Sequence, residues 1–288
     1  MIANARMYAV TPQAEAAWRA LLARASARAE VALPYVEHAA PAPVSALWAR
    51  PDCGCVFMCG YPYASAPVTP QLLAAPVPAP ARYGGRPVYF TEFIVRADAS
   101  AQSLAQTFGG RLACMLPESN SGYNAPRHYL MRLAPPGTQA LYRPAAMATP
   151  TPREVIDAVL ASDAEVGVVD SYVMDLLRRY DPWLAARLKT LALTPPAPIP
   201  VLVAAPEADP QQCLRVRAAL LGMHDDAAGT ALLAALGLAR FVAVQPADYA
   251  CLPAMADQAD RANFALTDAA AGAMEAPSPD HCQLGKPS

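Results

Sequence analysis

No uninterrupted apolar run in the 288 residues approaches the roughly 20 needed to span a bilayer. The segment Met1 to Val10 also lacks the continuous apolar core of a secretory leader, and it runs straight into a polar, arginine-containing helix. The expectation is a soluble chain, either exported with its leader already removed or at work in the cytoplasm. A dense basic run is missing too, and the formal net charge is -2, so no electrostatic feature recruits nucleic acid or an anionic membrane. Histidine is scarce: His38, His128, His224 and His281 lie far apart, and none forms a His/Glu pair at a zinc-binding spacing. Each reads as a surface or packing residue. Seven cysteines cannot all pair within one chain, and Cys53, Cys55 and Cys59 sit in an apolar run where thiols serve as small core residues. Their C-x-C-x3-C spacing has no second ligand cluster beside it. The expectation is no disulfide framework, no metal and no other cofactor.

What is present can build a core. Hydrophobic residues make up 55% of the chain, enough for one large domain or two of modest size. The 31 prolines alternate with apolar, strand-like runs and cluster at a few junctions, so they punctuate a folded chain and do not signal disorder.

The stretch Arg111 to Leu130, RLACMLPESNSGYNAPRHYL, carries the first functional signal. An apolar run from Leu112 to Leu116 breaks at Pro117 into Glu118-Ser119-Asn120-Ser121-Gly122-Tyr123. Ala125, Tyr129, Leu130 and Leu133 then recur at helical spacing, so the segment reads strand, polar turn, helix. Such a turn aims backbone N–H groups, two hydroxyls and a helix dipole at one spot, which suits an oxyanion. The plainer reading is an ordinary N-cap, because Ser and Asn favour that position in any helix.

Taken in order, Ala3 to Val10 is a strand candidate, and Thr11-Pro12 caps a helix with Trp18, Leu21, Leu22 and Ala25 on one face. Val31 to Val36 is a second strand, followed by the Pro-rich Ala40 to Val44 and a short helix near Ser45 to Ala49. A third strand, Cys53 to Cys59, ends in the turn Gly60-Tyr61-Pro62-Tyr63, whose phenols are either packing residues or a pocket wall beyond a strand's carboxyl end. Leu72 to Val77 is a strand and Pro78 to Pro87 a loop. Val88 to Arg96 is a long β-rich run with no turn signal inside it, fit to cross between lobes. The pattern then restarts: a helix from Ala99 to Phe108, a Gly109-Gly110 turn, the serine-rich segment, a strand near Ala140 to Arg143, and a helix from Pro152 to Leu160. Thr151-Pro152-Arg153-Glu154 is a capping-box sequence that occupies its threonine structurally. A strand at Val166 to Val169 leads into Asp170-Ser171-Tyr172, where Asp170 is an N-cap or a ligand contact. After the strand Leu188 to Leu193, the Pro-rich Thr194 to Pro198 makes a second crossing to Ile199 to Ala204. Asp209-Pro210-Gln211-Gln212 is another cap signature, before a helix carrying Leu214, Ala218 and Leu221; a helix near Ala228 to Leu236, and one beginning at Asp248-Tyr249 after Phe241-Val242, complete the pattern. From about Thr267 the chain turns Ala-, Pro- and Ser-rich, the composition of a poorly ordered end. Strand–helix alternation of this kind argues for an α/β fold with mostly parallel sheets.

The order of these elements, with Cys59-Gly60-Tyr61-Pro62-Tyr63-Ala64, Tyr89 to Arg96, Phe108-Gly109-Gly110-Arg111, Ser119-Asn120-Ser121-Gly122-Tyr123 and Val169-Asp170-Ser171-Tyr172, resembles the phosphate/phosphite/phosphonate substrate-binding proteins of ABC transporters. The resemblance spans roughly Ala3 to Leu252. It implies an α/β, two-lobed type II periplasmic-binding-protein fold, each lobe a mostly parallel sheet flanked by helices, joined by two crossing strands. Residues 1–93 with 195–266 would form the first lobe, 94–194 the second, and 267–288 a flexible tail. The ligand, a small phosphorus oxyanion or phosphonate, would sit between the lobes with no chemistry performed on it. Ser119, Asn120 and Ser121 would bind it, and Gly122 would allow its close approach. Tyr61 and Tyr89 would close the pocket, and Asp170 would accept a hydrogen bond from a protonated ligand oxygen or an amino group. Tyr123, Tyr172 and Thr151 are further candidates. The family often opens the helix that here begins Thr151-Pro152 with a Ser-His pair, which this chain lacks, so the anion loses a donor there or Thr151 replaces it in part. The implied setting is periplasmic, with an ABC permease as partner if the chain is exported, and a monomer. A cytoplasmic ligand sensor, or a cofactor-precursor enzyme built on the same fold, are the alternatives; against the enzyme, Asp170 and Glu118 are the only candidate bases near the serines, and neither has a histidine beside it in sequence.

Overall fold

The computed structural model describes residues 1–145 and 148–268. Strand β1 (Ile2–Asn4) ends early because the Asn4 side chain accepts the Arg6 N–H at 2.8 Å, and the chain tightens into a 3-10 turn over Arg6–Tyr8. The strand expected to reach Val10 therefore stops at Asn4. Thr11 caps α1 (Pro12–Ala29) by accepting from the Ala14 N–H at 3.1 Å. The expected strand Val31 to Val36 is only an extended segment with a single bridge between Tyr35 and Ala3, since Pro34 interrupts it with no N–H to give. After α2 (Ser45–Trp48) and the fully buried β2 (Cys53–Met58), the phenol-bearing turn proves to be one turn of helix, α3 (Gly60–Ala64).

Strand β3 (Gln71–Pro78) precedes the run expected to be one long strand. That run breaks at Phe90, whose N–H is taken by the Ser171 hydroxyl at 3.1 Å, into β4 (Val88–Tyr89) and β5 (Thr91–Arg96). The helix expected from Ala99 reduces to a 3-10 turn over Leu104–Thr107, with the Gln106 side chain taking the Gln102 N–H at 2.6 Å. Then follow β6 (Arg111–Ala113), a π-helical turn over Asn120–Asn124, α4 (Ala125–Leu133), β7 (Arg143–Pro144), α5 (Pro152–Leu160) and β8 (Val166–Asp170). The second half of the chain supplies α6 (Ser171–Tyr180), α7 (Pro182–Ala185), β9 (Leu188–Leu193), β10 (Ala197–Pro198), β11 (Val201–Ala204) and α8 (Pro210–Leu221). It closes with α9 (Ala227–Ala235), β12 (Leu238–Val242), α10 (Pro246–Tyr249) and α11 (Cys251–Arg261).

Among the described residues the strands form two five-stranded sheets, ordered β1-β2-β11-β3-β12 and β7-β6-β8-β5-β9, plus the small pair β10-β4. In the first sheet β1, β2 and β3 point one way, opposed by β11 and β12; in the second β6, β7, β8 and β9 point one way, opposed by β5. Each lobe is thus a βα array entered by a strand arriving from the other lobe. The crossings pair with each other, Tyr89 opposite Ala197 and Val88 opposite Pro198. Beside them the fully buried Glu92 receives Arg82 Nη1 at 2.9 Å, Arg178 Nη2 at 2.6 Å and the Thr190 hydroxyl at 2.6 Å. Burial alone would raise this carboxyl, but the arginine and threonine hydrogen bonds outweigh it and hold it below the usual range.

Sheet membership changes at Phe90, so all of β5 belongs to the second lobe, including the Thr91 to Phe93 stretch expected in the first. The C-terminal segment also differs from expectation. Past α11 the chain returns to the second lobe, where Phe264 and Leu266 are buried among Phe93, Val95, Leu112, Leu130 and Tyr142. The Arg127 Nε holds the Phe264 carbonyl at 2.6 Å, and the Ala265 and Asp268 N–H groups reach the Gln139 and Tyr142 carbonyls at 2.7 and 3.1 Å. Thr267, where a loose tail was expected to begin, is buried; residues 269–288 lie outside the described residues. No helix among the described residues is long and apolar enough to cross a membrane.

Phe264→Ala removes a fully packed ring from this third crossing, and the cavity should lower the unfolding free energy by about 3–5 kcal/mol. Urea denaturation measures it, and a loss below about 1 kcal/mol would show that the segment does not hold the lobe.

Candidate functional site

The carboxyl ends of the co-directional strands of both lobes face one another across a cleft of about 520 Å³. Arg6 and Met7 enter it after β1 and Cys59 after β2; Met115, Leu116, Glu118, Ser119 and Ser121 enter after β6, Thr151 to Glu154 from the start of α5, and Asp170 at the end of β8. That is where open α/β sheets place ligands, because helix starts and loop ends leave backbone donors there.

The serine-rich turn projects from the second lobe. Ser119 caps it, its Oγ accepting from the Gly122 N–H at 3.0 Å, so the plain capping reading and the cleft position are both realised in one residue. Ser121 is 8% exposed and lines the cleft, while its carbonyl takes the Thr91 hydroxyl at 2.7 Å. Asn120 faces inward: its Nδ2 donates to the Tyr89 hydroxyl at 3.1 Å and its N–H meets the Cys59 sulfur at 3.4 Å. Asn120 and Tyr89 are both buried behind the cleft wall and do not line it.

Asp170 lies on the cleft floor, 6% exposed. Its Oδ1 accepts the Tyr172 and Val173 N–H groups at 2.7 and 3.2 Å, capping α6, and its Oδ2 accepts the Tyr8 hydroxyl of the other lobe at 3.2 Å. Desolvation outweighs these hydrogen bonds and pushes the carboxyl up to about 7. A carboxyl raised in this way holds a proton to higher pH than an ordinary aspartate, and so has one to share with a ligand. Thr151 lines the cleft but is engaged as expected: its Oγ1 accepts from the Glu154 N–H at 3.2 Å, while its own N–H and hydroxyl go to Glu154 Oε2 at 2.9 and 2.7 Å.

Four other candidates stand away from the cleft lining. A Cβ on Gly122 would meet the Met115 side chain at 2.6 Å, so this glycine makes room for Met115 and not for a ligand. Tyr172 is buried, its hydroxyl on the Leu236 carbonyl at 2.8 Å and its ring edge-on to Tyr8 at 4.8 Å. Tyr61 packs partly buried beside the first-lobe core, and Tyr123 beside that of the second lobe. In their place the cleft presents residues with no local sequence signal. Arg6 is partly buried, and its Nη1 donates to the Ala42 carbonyl of the Pro-rich loop. Burial lowers the Arg6 guanidinium from its ordinary value, and Glu154 across the cleft works in the opposite direction. The loop itself, Ala39 to Ser45, walls one side with Trp48 beyond it, and His38 Nε2 pins it on the Pro43 carbonyl at 2.9 Å. Glu15 and Glu37, also at the cleft, both pair with Arg19. Among the described residues no group of His, Cys, Asp and Glu side chains is arranged to hold a metal ion.

Residues 14–249 match the family model described as ABC transporter, phosphonate, periplasmic substrate-binding protein. The chain belongs to this family. Solved structures agree on the fold. A binding-protein component of an ABC phosphonate transporter from Pseudomonas aeruginosa superposes with a TM-score of 0.73 at 18% identity, over 94% of this chain and 91% of that one. PhnD1 from Prochlorococcus marinus, in complex with methylphosphonate, gives 0.72 at 13% identity, over 91% and 98%. XAC2383 from Xanthomonas citri, bound to ATP, gives 0.61 at 19% identity, over 91% and 97%. No curated protein matches the sequence. The periplasmic-binding-protein relationship accounts for two βα lobes whose strand ends meet at a shared cleft.

Because Asp170 titrates near 7 when folded and an ordinary aspartate near 3.8, the folded chain keeps a proton between those values that the unfolded chain has released. Its contribution to stability is therefore intact below about pH 4 and lost as pH rises through about 7. Asp170→Asn keeps the α6 cap and removes the titration, so stability should fall less between pH 4 and 7 than in wild type. Urea unfolding across that range measures it; parallel curves for both proteins would contradict the assignment.

Proposed function

We propose that this chain captures a phosphonate, or a closely related small phosphorus oxyanion, between its lobes and hands it to an ABC permease without transforming it. The observation that carries this reading is the placement of Ser119 and Ser121 from the second lobe in the same cleft as the buried Asp170. Hydroxyls supply donors for phosphonate oxygens, and a carboxyl poised near neutral pH can share a proton with a hydrogenphosphonate. Asn120 and Tyr89 act one layer behind, holding the serine turn against the hinge. The family membership supports the ligand class, as does the methylphosphonate complex of PhnD1, which shares the fold. A binding role is also favoured by the family's description as a substrate-binding protein. The setting that goes with this role is the periplasm, with the protein acting as a monomer beside its permease.

A thermal-shift screen against phosphate, phosphite, methylphosphonate, 2-aminoethylphosphonate, sulfate and thiamine-pathway pyrimidines tests the reading. A phosphorus compound at about 100 times its dissociation constant should add about 2.7 kcal/mol of stability. Ser121→Ala should lose most of that shift while its unliganded melting temperature stays near wild type. Stabilisation by pyrimidines alone, or by nothing in the set, would overturn the phosphonate reading.

A further inference from the structure

Two arginines line the cleft, and they are not equivalent. Arg153 is committed to Asp157 one turn along α5, at 3.0 Å. Arg6 has, among the described residues, no carboxylate at ion-pair distance; its recorded side-chain bond is the donation from Nη1 to the Ala42 carbonyl. A partly buried guanidinium with donors left over is costly to keep beside an apolar wall unless something anionic is meant to meet it. Its backbone is also held in place: Arg6 and Tyr8 share one 3-10 turn, and the Tyr8 hydroxyl anchors that turn to Asp170 on the cleft floor.

The facing lobe is short of the positive potential an anion needs. Pro152 has no N–H, the Thr151 N–H and hydroxyl are spent on Glu154, and the Glu154 N–H is spent on Thr151. The Ser119 oxygen is occupied in part by the Gly122 N–H. Glu118 and Glu154 add negative charge to the same wall.

We infer that Arg6 supplies the positive charge that holds the oxyanion of a bound phosphonate, from the lobe opposite the serine turn, and so sets this protein's preference for an ionised ligand. The inference rests on the phosphonate reading above. Ligand is then gripped from both sides, by the Ser119 to Ser121 turn of the second lobe and by Arg6 of the first. The two carboxylates of the facing wall limit how much negative charge the cleft accepts, which favours a single phosphonate group over a polyphosphate.

Arg6→Gln and Arg6→Lys separate this role from mere support of the Pro-rich loop, because glutamine can still donate to the Ala42 carbonyl while lysine keeps the charge. Isothermal titration with methylphosphonate and with 2-aminoethylphosphonate, at low and high salt, is the measurement. Arg6→Gln should bind whichever of the two the wild type binds at least about tenfold more weakly. Its affinity should also depend less on salt than that of wild type, with a melting temperature within about 2 °C. Arg6→Lys should recover most of the affinity. Glutamine binding within about twofold of wild type, with the same salt dependence, would overturn the role of Arg6 and leave the phosphonate reading standing. Wild-type protein that binds neither compound would overturn both.

Discussion

The carboxyl group of Asp170 is the constraint on which the rest of the cleft depends. It ends a strand buried at every position, caps α6 through two backbone N–H groups, and takes a hydroxyl from the other lobe. An aspartate so deeply buried cannot remain a bare anion, and the fold leaves it near neutrality by desolvation. The same burial that makes the cap strong makes the group responsive to a proton on a ligand. A neutral capping residue such as serine would start the helix equally well, but it would not offer this exchange.

Around that carboxyl the lobes meet through a few directional contacts at the cleft floor and a broad apolar seam behind it. Tyr8 to Asp170, the Asn120 N–H to Cys59 and Asn120 to Tyr89 link the serine turn and β8 to the first lobe and the hinge. Behind them α6 packs Tyr172 and Tyr180 against the first lobe, their hydroxyls on the Leu236 and Ala235 carbonyls at 2.8 and 2.7 Å. The pair β4-β10 and the Glu92 arginine cluster brace the place where the chain crosses between the lobes. The third crossing, through α11 to Phe264 and Leu266, adds a tether that the two strand crossings alone would not provide.

Much of this was legible from local rules. Thr11-Pro12, Thr151 with Glu154, Asp170 and Asp209-Pro210 all cap the helices their sequences announce, because capping involves only residues a turn apart. The serine turn was legible for the same reason, as was the strand-to-helix placement of Asp170. Features that need a distant partner were not. Phe90 breaks the long run because of Ser171. Arg6 and Tyr8 looked like part of a strand, since the Asn4 side chain that ends it works through a bond invisible to periodicity. The tyrosines misled in the opposite direction. Tyr172 sits in a motif of polar residues, yet a large ring behind a helix start is more useful to the core, where its hydroxyl finds a carbonyl.

The most direct test of the account is a crystal structure of the protein grown with methylphosphonate. A single phosphonate group should lie between the lobes, its oxygens within hydrogen-bond distance of Ser119 or Ser121 and beside the Asp170 carboxyl. A phosphonate seated outside the cleft, or inside it without touching either the serine turn or Asp170, would contradict it.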